Sequence, residues 1–472
     1  MIIAIAVVLL VIGSLLFHWL SPWYFTPVAS NWGSIDGTIS LTFWVTGTVF
    51  VIINLFMAWA VIRYRHQKSR RAHYEPENPK LEWWLTGITT AGVVAMLAPG
   101  LFVWAKFIEV PDDAMVVEAV GQQWSWSYRF PGKDGTLGTV DAQFVSDANP
   151  FGLNPDDASG KDDILIAHPE LHLPLNKPVK VLLRAKDVLH NFTVPQFRAK
   201  MDMVPGLVTY IWFTPTRAGR FDVMCQELCG IAHFAMRGKV IVEEDADFQT
   251  WLAAQPTFAQ TMAPASVNVA TGQQLYTACA ACHGPQGEGS PGTNAPKLSG
   301  QDDWYLRRQL KNFKQGMRGT HDRDLLGKMM APMAATLTDD AAIDNVIAYI
   351  KTLPDRPAPA TVVGDAARGQ ARFHNCAACH GSNGQGVQAM NAPRLAGISD
   401  WYLATQLANF RDGIRGSHPQ DMYGTQMSLM AGMLTNERVI NDILAYINTL
   451  ADPNKPAATQ PKAETQASAM KQ

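Results

Sequence analysis

Three long runs of apolar residues open the chain, and each predicts a helix that crosses a membrane. The first run is IIAIAVVLLVIGSLLFHWL at residues 2–20, and two more cover residues 38–61 and 84–106. A helix of about 20 apolar residues spans the hydrocarbon core of a bilayer. The first run lacks the basic residues that begin a signal peptide, which leaves a retained anchor and a cleaved leader both open. Residues 1–112 are expected to form a membrane anchor of two or three transmembrane helices.

Beyond the third run, apolar and polar residues alternate in the manner of β-strands. The strand-like segments are VVEAV, ILIA, VKVLLRA, LVTYIWFTP and KVIVEE, and turn residues such as Pro, Gly, Asn and Asp separate them. Such alternation places one face of a strand in a core and the other face in solvent. Residues 113–248 are therefore expected to form an antiparallel β-sandwich.

The C-terminal part of the chain consists of two helical repeats. Cys279 and Cys376 are 97 residues apart, and the same offset relates the paired segments NAP, WY and AYI. A constant offset without gaps indicates a duplicated module, here at residues 268–354 and 365–451. A linker containing TFAQTMAPASVNVATG precedes the first module, and residues 452–472 have the composition of a disordered tail. The predicted fold class is multidomain, with N-terminal transmembrane helices, an all-β sandwich and two all-α domains.

The distribution of charge predicts an orientation in the membrane and excludes one class of partner. The 472 residues carry a formal net charge of −2, so the chain has no basic footprint for nucleic acid. The loop RYRHQKSRRAH before the third apolar run is basic, whereas EVPDD after that run is acidic. Under the positive-inside rule the basic loop is cytoplasmic. Everything after Phe107 is then expected on the periplasmic side of a bacterial inner membrane.

The segment CQELCGIAHFAM at residues 225–236 collects several soft metal ligands. It supplies Cys225, Cys229, His233 and Met236, and His190 lies upstream in AKDVLHNFTVP. Cysteine and methionine can simply fill a core, and cysteine with histidine also suits zinc, but a thioether favours copper. Two coppers bridged by both thiolates would use all five donors, with Met236 axial to one metal and the carbonyl of Glu227 axial to the other. Such a pair of metals would relay single electrons.

The other four cysteines occur in two CAACH motifs, which mark covalent attachment of c-type haem. The thiols bond to the haem and the adjacent histidine reaches the iron. A zinc site shared by the two C-x-x-C pairs is the weaker alternative, because each pair heads its own repeat. All six cysteines are thereby assigned, so we expect neither a disulfide nor a lipidated N-terminal cysteine. The expected haem residues are Cys279, Cys282 and His283 in the first module and Cys376, Cys379 and His380 in the second.

The metal-binding motifs resemble a known family. C-x-E-x-C-x-x-x-H-x-x-M at residues 225–236, D-V-x-H ending at His190 and Q-W-x-W-S-Y at residues 123–128 are similar to subunit II of haem-copper cytochrome c oxidases, which carries the binuclear CuA centre. The resemblance covers residues 35 to 245 and implies a cupredoxin-like sandwich. With the fused haem modules, the chain resembles the caa3-type oxidases.

The same resemblance implies roles for three further residues. Trp124 corresponds to the aromatic residue at the copper rim where electrons enter, although packing within the sandwich explains it equally well. The Glu227 carboxylate corresponds to a magnesium ligand at the subunit interface. Glu82, in KLEWWLT, corresponds to a glutamate at the mouth of a proton pathway, and its alternative role is that of an acidic residue at a helix start.

Each haem needs a sixth ligand that recurs at the 97-residue offset. Two pairs of methionines do so, Met330 with Met427 and Met333 with Met430. The modules resemble small dihaem class I cytochromes c, in which the ligand precedes the L-[ST] start of the last helix by seven residues, a spacing that Met330 and Met427 have. Met333 and Met430 are then haem-packing residues. His321 and His418 also recur, and we expect them to cap a turn rather than bind iron.

The expected function is that of an electron-input subunit of a respiratory terminal oxidase. Electrons from a periplasmic or membrane donor would pass through two c-type haems and CuA to a separate haem-copper subunit I, since the chain lacks the histidine set of an oxygen site. Other oxidase subunits and membrane lipid are the remaining expected partners. A CuA protein of the nitrous-oxide reductase kind would need a histidine-rich propeller, and a quinol-oxidase subunit would lack copper ligands. Both are weaker alternatives.

Overall fold

The computed structural model describes residues 2–21, 26–68, 71, 76–146, 149–263 and 266–450. The tail expected at residues 452–472 and part of the basic loop lie outside this description. Three N-terminal helices are long and apolar enough to cross a membrane, as predicted: α1 (Ile2–Leu20), α2 (Gly33–Arg63) and α3 (Pro79–Ile108). The side chain of Asn78 caps α3 by accepting a hydrogen bond from the Leu81 amide, and Pro79 occupies the first helical position, where no amide donor is needed.

Two five-stranded sheets form the predicted β-sandwich, in the orders β3-β2-β1-β5-β8 and β4-β10-β9-β6-β7. The strands are β1 (Met115–Gln122), β2 (Ser125–Phe130), β3 (Ile164–Ile166), β4 (Glu170–Pro174), β5 (Val179–Ala185), β6 (His190–Val194), β7 (Ala199–Met203), β8 (Thr209–Phe213), β9 (Gly219–Cys225) and β10 (Arg237–Glu243). Trp126, Tyr128 and Phe130 of β2 are buried in the main core. The large aromatic side chains of this strand therefore contribute much of the apolar area that holds the sandwich together.

The expectation of a wholly antiparallel sandwich is wrong at two pairings. β1 runs parallel to β5, and β10 runs parallel to β4. Parallel neighbours cannot be joined by a tight hairpin and need a long connection. Residues 123–178 separate β1 from β5, and they include β2, β3 and β4.

The sandwich also extends further along the chain than the alternation pattern indicated. Phe248 of α4 (Asp245–Ala253) is fully buried in the sandwich core, and Trp251 stacks on His172 with 4.1 Å between ring centroids. The stretch predicted as linker contains a short helix, α5 (Phe258–Met262), and Phe258 is buried against the sandwich with Val120. Burial of these aromatic side chains draws the first part of the expected linker onto the sandwich.

Several contacts attach the sandwich to the membrane helices. The Trp32 indole N–H donates to the Trp212 carbonyl at 2.9 Å, and the Tyr210 hydroxyl donates to the carbonyl of Ile108 at the end of α3 at 3.1 Å. Arg198 also forms two hydrogen bonds of 2.7 Å with Asp36 in the first turn of α2. The sandwich is therefore held at the end of α3 and at the start of α2.

The two predicted helical modules have the same architecture. Their helices are α6 (Val269–His283), α7 (Asp303–Lys314), α8 (Leu325–Ala335) and α9 (Asp340–Ile350) in the first module, and α10 (Ala366–His380), α11 (Asp400–Arg411), α12 (Met422–Ala431) and α13 (Glu437–Leu450) in the second. Each helix of the second module begins 97 residues after its counterpart. A Cβ on Gly272 would lie 1.9 Å from the Asn345 carbonyl oxygen, and one on Gly369 equally close to that of Asp442. These glycines allow the first and last helices of each module to touch backbone to backbone.

Candidate metal centre and haem sites

Two candidate ligands of the predicted copper site come from neighbouring strands. His190 begins β6 and Cys225 ends β9, and the two strands are paired, with Phe192 opposite Cys225. The loop at residues 226–236 then leads to β10 and contains the remaining candidate ligands. Two adjacent strands and the loop between β9 and β10 thus converge at one end of the sandwich.

The predicted sulfur and nitrogen donors lie within contact distance of one another. The Cys225 and Cys229 Sγ atoms are 3.7 Å apart. His190 Nδ1 lies 3.9 Å from Cys225 Sγ, and His233 Nδ1 lies 3.4 Å from Cys229 Sγ. Met236 Sδ is 3.8 Å from Cys229 Sγ, while the Glu227 carbonyl oxygen is 3.2 Å from Cys225 Sγ.

This arrangement pairs one imidazole with each sulfur. His190 belongs with Cys225, and His233 belongs with Cys229. The axial candidates are divided in the same way, since the Glu227 carbonyl lies beside Cys225 and the Met236 thioether beside Cys229. His190, Cys225 and Cys229 lie close enough together to hold one metal ion. His233 and Met236 lie beside Cys229 and bring the donors to more than the four that a zinc ion takes, so the donors form two sets that share a pair of sulfurs. The donor set fits two soft metal ions, with copper as the metal that thiolate, imidazole and thioether favour together.

Proton sharing between the thiols prepares one of them to bind metal. The hydrogen bond with Cys229, together with a smaller contribution from His190, lowers the pKa of the Cys225 thiol to about 3. The same pairing raises the pKa of Cys229, because that residue retains the shared proton. Thiolate is the form of cysteine that coordinates a metal.

Asp187 holds the His190 ring in place, a role that the sequence analysis did not assign. Its carboxylate accepts a hydrogen bond from His190 Nε2 at 2.8 Å, which leaves Nδ1 as the ring nitrogen that faces Cys225. The carboxylate in turn accepts from the backbone amides of Gln123 and Val188, each at 2.7 Å. Carboxylates that orient ligating histidines are common around metal sites. The signal was present in the sequence, since Asp187 begins the D-V-x-H motif.

Gln123 and Trp124 bond to the loop at residues 226–236, which we call the copper loop. The Gln123 side-chain amide and the Trp124 indole N–H both donate to the Cys229 carbonyl, at 2.7 and 3.2 Å. Gly230 follows with φ of +123°, and a Cβ there would approach the two side chains to 2.8 and 2.9 Å. Trp124 is only 7 % exposed. Trp124 therefore lies at the rim of the ligand cluster and also packs within the sandwich. Its position is compatible with both of the roles considered from the sequence.

The proximal histidines of the predicted haem sites are oriented identically in the two modules. His283 ends α6 and His380 ends α10, and both are buried. His283 Nδ1 bonds to the Pro296 carbonyl at 2.8 Å, and His380 Nδ1 bonds to the Pro393 carbonyl at 2.7 Å. The sequence analysis had used these prolines only as landmarks of the repeat.

The orientation of the two imidazoles fits an axial haem ligand. With Nδ1 engaged by a carbonyl, Nε2 remains available for iron. Burial lowers the pKa of both imidazoles, which favours the neutral form that binds a metal. The predicted attachment thiols precede each histidine on the same helix, Cys279 and Cys282 on α6 and Cys376 and Cys379 on α10.

The candidate distal ligands occupy equivalent positions on α8 and α12. Met330 and Met427 are both half-buried, as is Met430, whereas Met333 is exposed. His321 Nδ1 accepts from the Arg323 amide and His418 Nδ1 from the Gln420 amide, each at 3.2 Å, which is the turn-capping role expected for these histidines. Glu82 is exposed in the first turn of α3.

Comparison with known proteins agrees with this division of the chain. Residues 115–244 match the family described as cytochrome c oxidase subunit II, periplasmic domain, and residues 269–354 and 366–451 each match cytochrome c. The alternative cytochrome c oxidase subunit 2 of Bradyrhizobium diazoefficiens is 60 % identical over 259 residues, which cover 55 % of this chain and 94 % of that protein. The chain belongs to the cytochrome c oxidase subunit II family.

Two further relatives each match part of the chain. Cytochrome c oxidase subunit 2 of Cereibacter sphaeroides is 28 % identical over 235 residues, 48 % of this chain and 77 % of that protein. The thiosulfate dehydrogenase electron acceptor of Stutzerimonas stutzeri is 35 % identical over 175 residues, 33 % of this chain and 77 % of that protein. The subunit II match implies CuA copper, and the cytochrome c matches imply haem c. Together with the three apolar helices, they indicate a membrane-anchored protein with periplasmic domains that is part of an oxidoreductase.

Proposed function

We propose that this subunit II is the electron-input subunit of a terminal oxidase in a bacterial inner membrane. Electrons from a periplasmic or membrane donor pass through two c-type haems and binuclear CuA to the oxygen-reducing haem-copper subunit I. The observation that carries the proposal is the division of the copper ligands into two sets around a shared pair of sulfurs, with His190 beside Cys225 and His233 beside Cys229.

The chain's own residues hold this copper site in a fixed geometry. When bound, copper at this site would supply one-electron exchange. Cys225 and Cys229 would hold the metal through their sulfurs, and His190 and His233 would each supply one nitrogen. Met236 and the Glu227 carbonyl would be the remaining donors. Asp187 orients His190, and the hydrogen bonds from Gln123 and Trp124 hold the Cys229 carbonyl, so the ligand loop is restrained before any metal binds.

The two haem modules form the part of the relay that precedes copper. A haem held between histidine and methionine has a raised potential and exchanges single electrons. Cys279, Cys282 and His283 would hold the first haem, with Met330 as the second axial donor. Cys376, Cys379, His380 and Met427 have the same roles in the second module. The hydrogen bonds that the Pro296 and Pro393 carbonyls accept from His283 and His380 support this proposal, because they fix both histidine rings in one orientation.

Three further roles belong to this proposal. Trp124 positions the Cys229 carbonyl at the copper rim and lies beside the path by which electrons arrive. The Glu227 carboxylate is one ligand for a magnesium ion at the interface with subunit I, which would supply the rest. Glu82, at the start of α3, lies at the mouth of a proton pathway shared with subunit I. Lipid surrounds α1, α2 and α3.

Metal content tests the proposal directly. The purified full chain should retain haem after denaturation, because thioether bonds survive unfolding, and should contain two irons and two coppers per chain. Cys279→Ser with Cys282→Ser should remove one haem, and the matched pair Cys376→Ser with Cys379→Ser should remove the other. One iron per chain in the unaltered protein would contradict the two-haem relay, and one copper would contradict the binuclear site.

A further inference from the structure

The second haem module lies against the copper domain. The Gln426 side-chain amide donates to the Trp124 carbonyl at 2.7 Å, and the Tyr423 hydroxyl donates to the Ala167 carbonyl at 2.6 Å. The Gln122 side-chain amide donates in the other direction, to the Ala389 carbonyl. Cys379, Met390 and Met430 also pack against the sandwich core. A haem-attachment cysteine of the second module thus lies in the same apolar cluster as the copper ligands.

The contact lies directly over the copper loop. Trp124 accepts the bond from Gln426 through its carbonyl, while its indole N–H donates to the Cys229 carbonyl. One residue therefore separates Gln426 from a copper ligand. On the module side, Gln426 is adjacent in sequence to Met427, the candidate distal ligand of the second haem.

The first module occupies a different position. In the part of the chain that the structure describes, no hydrogen bond or ion pair joins residues 266–354 to residues 115–244. The first module contacts the second instead, where Arg308 bonds to Asn391 and lies over the Tyr423 ring, with 4.4 Å to the ring centroid. Tyr423 therefore contacts both the first module and the sandwich.

The two side chains of the second module that donate hydrogen bonds to the sandwich differ from their counterparts in the first module. Tyr423 and Gln426 correspond, at the 97-residue offset, to Leu326 and Met329. Leu326 is 39 % exposed and Met329 is 65 % exposed. The polar groups that bond to the sandwich are thus present only in the second module. The face that carries them remains uncovered by the sandwich in the first module.

We infer that the second module is the one that passes electrons to the copper centre, with Tyr423 and Gln426 as its positioning residues, and that the first module receives electrons from the external donor. The inference rests on the proposed function. Each step moves one electron: the second haem is oxidised as the copper pair is reduced, and no bond forms or breaks. The donor supplies one electron to the first haem, and the first haem passes it to the oxidised second haem.

The test exchanges the contact residues between the repeats. Gln426→Met and Tyr423→Leu give the second module the side chains of the first, and Met329→Gln with Leu326→Tyr is the matched control. Two lost hydrogen bonds should make opening of the contact about 5- to 150-fold more frequent. Hydrogen exchange at residues 121–126 and in α12 measures that opening. The control should leave exchange in both segments unchanged.

A second measurement follows the electron. In the full oxidase, a rapid pulse of reductant should be followed by slower oxidation of the second haem in the Gln426→Met, Tyr423→Leu variant, with reduction of the first haem unchanged. Gln426→Met alone should cause a smaller increase in hydrogen exchange and a smaller slowing of oxidation of the second haem. This single variant replaces the double variant if the double variant loses haem. Unchanged exchange and unchanged oxidation would overturn the inference, as would slowing confined to the control.

The result also separates this inference from the proposed function. If the unaltered oxidase passes electrons from haem to copper and the variants do so equally fast, the proposed function stands and the position of the second module has been misassigned. If copper in the unaltered oxidase is never reduced from the haems, the proposed function itself fails.

Discussion

Arg415→Ala should uncouple the two haem modules, because this side chain carries bonds across their interface. Arg415 donates to the Tyr305 hydroxyl at 3.0 Å and to Gln309 at 2.9 Å in the first module, and to Gln406 at 2.8 Å in its own. Arg318 of the first module makes the counterpart bonds, to Tyr402, Gln406 and Gln309. The two arginines and two glutamines form a closed ring about an approximate twofold axis.

The magnitude follows from burial and from the number of bonds that cross the interface. Arg415 is only 8 % exposed, so solvent screens its bonds little. A hydrogen bond to a charged group contributes about 1.5 to 3 kcal/mol, and two such bonds cross from Arg415. Gln309 retains its bond from Arg318, which reduces the penalty for an unsatisfied group. We expect a loss of about 3 to 4 kcal/mol in the free energy of unfolding of the haem modules.

Urea titration of the detergent-solubilised chain, followed by the haem absorption bands, measures this loss. Arg307→Ala is the control, because Arg307 lies on the same helix as Tyr305 but is one-third exposed and pairs with Asp340 and Asp344 within its own module. An exposed pair of this kind contributes about 0 to 1 kcal/mol. Equal losses for the two variants would refute the claim that the arginine ring couples the modules.

Three further substitutions probe the copper domain and the anchor. Asp187→Asn should weaken copper binding by about 10- to 100-fold, because the carboxylate no longer orients His190; copper titration of the metal-free chain measures this, with Asp222→Asn as a control, and equal affinity would count against the assignment. Phe248→Ala should cost about 3 to 5 kcal/mol in sandwich stability, measured by thermal unfolding against the exposed neighbour Gln249→Ala; matching melting temperatures would show that α4 contributes little. Glu82→Ala should slow oxidase turnover while the haems and copper remain fully reducible, and unchanged turnover across pH would leave only a helix-end role.

The sequence predicted which residues gather at the candidate copper site better than it predicted the structure around them. Ligand type and spacing were enough to predict two sets of donors, because thiolate, imidazole and thioether chemistry is local. The pairing of β6 with β9, which brings His190 to Cys225, depends on contacts between distant segments. The parallel pairing of β1 with β5 was missed for the same reason. β2 was not among the predicted strands either, although SWSYRF alternates polar residues with large apolar ones. In the structure its polar residues Ser125 and Arg129 are buried together with the aromatic ones.

The repeat offset predicted two equivalent modules but could not predict their unequal positions. An equal spacing of helices carries no information about which module contacts the sandwich. The difference was visible at single positions, where Met329 corresponds to Gln426 and Leu326 to Tyr423. Their effect depends on the Trp124 and Ala167 carbonyls, which accept hydrogen bonds from Gln426 and Tyr423 in the folded structure.

The central claim is that electrons from the haems reach oxygen only by way of the copper site, and Cys225→Ser tests it most directly. A serine hydroxyl is a hard, mostly protonated donor that cannot replace a bridging thiolate, so the variant should lose the binuclear centre. The haem modules carry their own ligands and should remain intact. In the purified complex, the haem c bands should be reduced normally by an added donor and should then stay reduced in air while oxygen uptake collapses. Rapid aerobic reoxidation of those bands would mean that electrons bypass copper and would contradict the relay.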